Sequence, residues 1–200
     1  MNKQPEITEI TRKNLMDAFW KIYEEKGLAS CSVKKVTELA GYCRSTFYEY
    51  FSDIPDLLEQ LENEIIEFSI KDVEALFTNT NMAQIRKSVI NLHRVYGKEF
   101  YTFMIKNRNM SFYLKLKSAV CETVLSSMKT EAGEQYAPYV VEFAAAGYLN
   151  CFMRWYQEGQ EIPLEDIGNF IFELLRHGVL PASKRIVKSQ HMDRLIFARE

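Results

Sequence analysis

The sequence predicts an all-α protein. Glycine and proline number only eight and five in 200 residues. Apolar residues recur at helical spacing in nearly every patterned run, and no run of β-branched residues alternates with polar ones as a half-buried strand requires. Hydrophobic residues make up 47% and aromatic residues 13% of the chain. That is enough to fill a core at this length, and it excludes disorder as the main state.

The first helix is expected from near Thr8, with Leu15, Phe19, Ile22 and Tyr23 as one apolar stripe. Gly27 ends it as a residue able to take a positive φ. Ser32 is a good N-cap for a short second helix whose inner face is Val33, Val36, Leu39 and Ala40. Gly41 stops that helix. A third short helix runs from about Arg44 to Tyr50, anchored by Phe47 and Phe51. Pro55 sits where a first-turn proline opens a longer fourth helix carrying Leu58, Leu61, Ile65 and Phe68 inward. After Asn79-Thr80-Asn81 the pattern predicts helices near 82–96, 98–107, 110–131, 134–158 and 164–178, about nine in all. Gly133 and the pair Gly159…Pro163 mark breaks between them.

Several function classes recede. The four cysteines, Cys31, Cys43, Cys121 and Cys151, form no C-x-x-C pair and no disulfide framework, which suits passive thiols in a reducing cytoplasm. The first 25 residues carry charges throughout and lack the apolar stretch of a signal peptide. The most apolar segment, 136–156, contains Glu142, Asn150 and Arg154, so a buried helix is expected there and no membrane span. His93, His177 and His191 lie far apart without a ligand-spaced partner, so no metal is expected. No phosphate-binding glycine loop and no nucleophile elbow is present. Neither a catalytic residue nor a cofactor is expected, and the chain does not read as an enzyme.

Residues 32–51 place two short helices around a turn that opens with Gly41, the spacing of a helix-turn-helix. Small Ala40 lets the two helices approach, Gly41 supplies the left-handed backbone of the turn, and Val36, Leu39 and Phe47 are expected to close a miniature core. Arg44, Ser45, Thr46 and Tyr48 then point outward from a helix short enough for a major groove. Leu39-Ala40-Gly41-Tyr42-Cys43-Arg44-Ser45-Thr46-Phe47-Tyr48-Glu49-Tyr50-Phe51, followed by Asp56-Leu57-Leu58, resembles the helix-turn-helix of TetR/AcrR-type transcriptional regulators. The resemblance covers roughly residues 8–60. It extends more weakly to Gly147…Trp155-x-x-x-Gly159, which is similar to that family's penultimate helix.

The resemblance implies a homodimeric repressor that binds double-stranded DNA, with an effector pocket and dimer interface in the C-terminal region. Carried over by position, Ser32 and Lys34 lie near phosphate, Tyr42 and Arg44 are candidate base readers, and Ser45, Thr46 and Tyr48 donate to phosphates. Arg44 is the best candidate for a bidentate contact with guanine. Two positions depart from the family pattern: Ile54 stands where a lysine is usual, and Cys43 replaces the small N-cap of the recognition helix.

The net charge of −2 hides a segregation. Residues 1–55 hold eight basic and eight acidic side chains, so non-specific attraction to DNA is expected to be modest. Residues 134–175 hold seven acidic side chains and one basic, Arg154. Within them Tyr139, Phe143, Gly147, Cys151 and Trp155 recur every fourth position, and Ile167, Ile171 and Leu174 lie on the next helix. Two such helices from each subunit suit a four-helix dimer interface. The middle helices are rich in aromatic residues and methionine. His93, Phe100, Tyr101, Met104, Phe112 and Tyr113, with Arg154, are candidates to line an effector pocket, although ordinary core packing explains such residues as readily.

The expected organisation is a DNA-binding domain over 1–54, an effector-binding and dimerisation domain over 55–180, and a basic tail over 181–200. The expected function is a cytoplasmic homodimeric regulator, a repressor of a palindromic operator released by a small-molecule effector. The alternative, motivated by Ile54 and the neutral head, is a helical ligand-binding or interaction protein whose DNA contacts have degenerated.

Overall fold

The structure, a computed structural model, describes residues 5–78, 82–127 and 134–178. Among these residues there is no strand. Eight α-helices follow one another: α1 (Pro5–Lys26), α2 (Val33–Ala40), α3 (Arg44–Tyr48), α4 (Ile54–Thr78), α5 (Met82–Phe100), α6 (Met110–Ser127), α7 (Ala137–Gln157) and α8 (Leu164–His177). The chain divides into two compact units, Met1–Phe68 and Ser69–Glu200. The basic tail 181–200, the expected loop 79–81 and the break at Gly133 lie outside the described residues.

In the first unit, Leu15, Phe19 and Tyr23 of α1 are buried as their spacing requires. Val36, Phe47, Phe51 and Leu57 are likewise essentially inaccessible to water, and α1 packs on α2. Ser32 caps α2, its hydroxyl accepting from the Lys35 amide at 3.4 Å. Gly41 ends the helix in the left-handed region at φ 75° and ψ 28°. The Tyr42 amide donates to the Thr37 carbonyl at 2.9 Å, closing that turn.

One expectation for α2 fails: Leu39 is 53% exposed, while Thr37 is buried. The inward stripe runs Val33, Val36, Thr37, Ala40, at i, i+3, i+4 and i+7, and Leu39 falls outside it. Thr37 is tolerated inside because its hydroxyl donates back to the Val33 carbonyl at 2.8 Å or the Lys34 carbonyl at 3.0 Å. A reciprocal cap opens α4. Asp53 Oδ1 accepts from the Asp56 amide at 2.8 Å, and Asp56 Oδ2 accepts from the Ser52 amide at 2.7 Å. The Ser52 amide is the main reason the Asp56 carboxyl titrates below the usual range.

In the second unit, α6 packs on α7 and α5 on α8. The approach of α5 to α8 depends on Gly168, where a Cβ would stand 3.2 Å from Ile90 Cγ1. The Arg94 guanidinium donates to Glu165 at 2.6 Å across the same pair. The break expected near Gly97 is absent. Gly97 is helical, α5 continues to Phe100, and Tyr101–Lys106 follows directly as a π-helical turn that buries Thr102, Phe103 and Met104. Such turns widen a helix by one residue and turn side chains that a regular helix would aim elsewhere.

Candidate functional site

On the first unit, the turn Gly41–Cys43 sets α3 after α2 and leaves one short face open. Arg44, Ser45 and Tyr48 are exposed, Tyr48 at 58% despite its ring, and Thr46 is half-buried. Phe47 between them is wholly buried and meets Tyr48 edge-on, so core packing orients the exposed ring. Lys34 projects from α2 and pairs loosely with Glu38 at 3.8 Å. Tyr42 is half-buried, its hydroxyl accepting from Asn14 of α1 at 3.0 Å. Ser32 spends its hydroxyl on the α2 cap. Ile54 is buried at the start of α4, a packing role.

Cys43 occupies the N-cap of α3 without capping a backbone amide. Its sulfur lies 3.0 Å from Ser45 Oγ and 3.2 Å from Thr46 Oγ1. Those two hydroxyls, Ser45 first, stabilise the thiolate and lower this thiol to about 7.

The second unit holds a cavity of about 340 Å³ between α5, α6, α7 and α8, partly open to solvent. Its wall is almost wholly apolar, with Leu92, Phe100, Met104, Leu149 and Phe152 among its residues. His93, Phe100 and Met104 of the expected pocket do line it. Phe112 instead packs behind the wall against Phe103, with ring centroids 4.5 Å apart. Tyr101 faces a more open groove shared with Arg94, Lys98 and Gln160. The Tyr113 hydroxyl accepts from Asn150 at 3.3 Å, and Arg154 is exposed and paired with Glu158 at 2.7 Å.

His93 is a polar feature of the cavity wall. Its ring stacks on Phe152 with centroids 3.6 Å apart. Nδ1 lies 2.9 Å from the Tyr156 hydroxyl and Nε2 lies 2.8 Å from the Tyr148 hydroxyl. A neutral imidazole has one donor and one acceptor nitrogen, so one tyrosine donates to the ring and the other accepts from it. Burial holds His93 in the neutral form, its pKa pushed down to about 3. Burial likewise drives both phenols well above their ordinary value.

The four-residue repeat on α7 changes character along its length. Tyr139 is 75% exposed and Phe143 71%, and Gly147 is open to solvent. Cys151 is half-buried and Trp155 is buried, its indole donating to the Ile162 carbonyl at 2.7 Å. Each four-residue step overshoots one turn by about 40°, so the row swings from the outer to the inner face. On α8, Ile171 is buried while Ile167 and Leu174 are half-buried. Trp155 and Ile171 thus offer little surface to a partner.

No family model matches the chain, and no curated protein matches its sequence. Solved structures do. A fatty acid degradation regulator, FadR, from Bacillus halodurans aligns at TM-score 0.65 with 16% identity, over 90% of this chain and 99% of that one. A TetR transcriptional regulator from Streptococcus agalactiae aligns at TM-score 0.57 with 17% identity, over 85% and 96%. The chain has a TetR-like fold. FadR from Bacillus subtilis, solved in complex with stearoyl-CoA, aligns to it at TM-score 0.55 with 20% identity, over 84% and 98%.

Within that TetR-like fold, sequence reasoning missed Tyr148, Phe152 and Tyr156, which build the floor around His93. They stand at i, i+4 and i+8 on α7, so a signal was present. It competes with the outward row on the same helix, and an isolated helix does not reveal which of two apolar stripes faces its neighbours.

Proposed function

We propose that this chain is a homodimeric DNA-binding transcriptional regulator acting in the cytoplasm, a repressor released by a small-molecule effector. The observation that carries the reading is the pairing, in one chain, of an exposed α3 face bearing Arg44, Ser45 and Tyr48 with an apolar cavity in the other unit. Residues 1–54 would bind DNA and residues 55–180 would bind effector and partner. Arg44 would read a base edge, and Ser45, Thr46 and Tyr48, with Lys34, would hold phosphates. Tyr139, Phe143 and Gly147 would meet their counterparts across a two-fold axis, because a stable monomer seldom leaves such large apolar side chains bare on one helix.

The stearoyl-CoA bound by the Bacillus subtilis regulator shows that one protein of this fold accommodates a ligand with a long acyl chain. The apolar wall of this chain's cavity supports an occupant that carries an apolar chain. Effector binding would favour a dimer whose two heads no longer match half-sites one helical turn apart, and its differential affinity for the two states sets the switch. Footprinting on DNA upstream of its own and adjacent genes, at ~100 mM salt, tests the reading. A protected palindrome is expected, and no protected site would overturn it.

A further inference from the structure

The cavity has chemically different ends, and both belong to α5. Arg86 and His93 each line it and stand seven residues apart, two turns on one face and about 10.5 Å along the axis. Arg86 is exposed, and among the described lining residues it alone carries a charge. Val89 and Leu92 fill the same face between the two. His93 is buried and neutral, with its two nitrogens already engaged by Tyr148 and Tyr156. The charge of Glu99 acts on Tyr156 beside it. Within the cavity, an anion at the His93 end would therefore meet no cation and a nearby carboxylate, because Arg94 and Lys98 line the neighbouring groove that His93 and Tyr156 also border.

We propose that the cavity takes a linear amphiphile, its anionic head held by Arg86 at the mouth and its hydrocarbon chain running inward to the His93–Tyr148 pair. This rests on the regulator reading only in calling that ligand the effector. The space of about 340 Å³ sets the scale. At about 30 Å³ for each water-sized group it holds roughly eleven heavy atoms, a chain of the length of decanoate. Arg86 pairs with the carboxylate while remaining hydrated, so its contribution is that of an exposed ion pair. The buried end acts by exclusion, because a carboxylate forced there loses its water without gaining a counter-ion.

Calorimetric titration of the full chain with decanoate, decanol and decanedioate, without DNA, tests this. Decanoate is expected to saturate the protein, and Arg86→Gln to weaken it roughly fivefold while leaving decanol unchanged. Decanedioate is expected to bind about a hundredfold more weakly than decanoate, because its second carboxylate reaches the dry end. Equal affinity for decanoate and decanedioate overturns the proposal, as does an equal effect of Arg86→Gln on decanoate and decanol, or no binding of decanoate. Parallel gel shifts separate this from the regulator reading. If decanoate binds as expected but leaves DNA affinity unchanged, the effector reading fails and the ligand class stands. If DNA is bound and another compound releases it while decanoate does not bind, the ligand class fails and the regulator stands.

Discussion

His93 makes the stability of this protein depend on pH in a direction that can be measured. In the unfolded chain its imidazole titrates near 6.5, whereas in the folded chain burial holds it neutral down to about 3. Between those values the unfolded state binds the extra proton, so stability is fully present above pH 6.5 and falls as pH is lowered. One pH unit of this difference corresponds to about 1.36 kcal/mol. From pH 6.5 to pH 5.0 the loss is therefore about 2 kcal/mol, a large part of the stability of a typical domain. His93→Gln keeps a donor and an acceptor for the two tyrosines but does not titrate. Urea denaturation of both proteins at pH 7.5 and 5.0, at one fixed protein concentration, isolates the effect, since the carboxylates contribute equally to each. The wild type is expected to lose about 2 kcal/mol more than the variant. At pH 7.5 the variant is expected to be the weaker by about 1–3 kcal/mol, because a glutamine cannot reach both hydroxyls as the ring does. Equal pH dependence of the two proteins would refute the reasoning.

Gly41→Ala is expected to cost about 1–2 kcal/mol in thermal denaturation, because open space surrounds the added methyl and only the left-handed backbone resists it. Arg44→Ala is expected to weaken specific operator binding by about 1–3 kcal/mol with an unchanged circular dichroism spectrum; unchanged affinity would remove Arg44 as a base reader. Phe143→Glu is expected to shift the protein from dimer to monomer in analytical ultracentrifugation, given the exposure of that ring. Iodoacetamide is expected to label Cys43 with a midpoint near pH 7. Cys31, Cys121 and Cys151, whose thiols burial pushes upward, should react only at higher pH. A common profile for all four would contradict the assigned hydroxyl contacts.

Local chemistry made the α2–α3 segment legible. A serine cap and a left-handed glycine act within a few residues of one another, so Ser32 and Gly41 take their places without help from distant chain, and the i, i+4 spacing sets Phe47 and Phe51 on one face for the rest of the unit to cover. The same locality explains the open α3 face, because once Phe47 and Phe51 point inward, Arg44, Ser45 and Tyr48 have no other direction. Leu39 shows the margin of such reasoning. A shift of one position in the stripe exposes a leucine and buries a threonine, and the deciding hydroxyl bonds are invisible in a hydropathy pattern.

The cavity follows a different rule. The all-α class and the aromatic richness of the middle helices are written in periodicity and composition, which any helix carries by itself. Which of those aromatics meet is a property of helix rotation and approach. Continuous α5 and its π-helical turn bury Met104 and leave Tyr101 outside. The drift of the four-residue row on α7 turns Trp155 inward while Tyr139 stays out. The contact of Gly168 with Ile90 brings α8 against α5. His93 illustrates the division most plainly. The sequence by itself supplied a histidine on an apolar face, and its neutrality, its two tyrosine partners and the dry end of the cavity exist only because α5 and α7 pack together and exclude water.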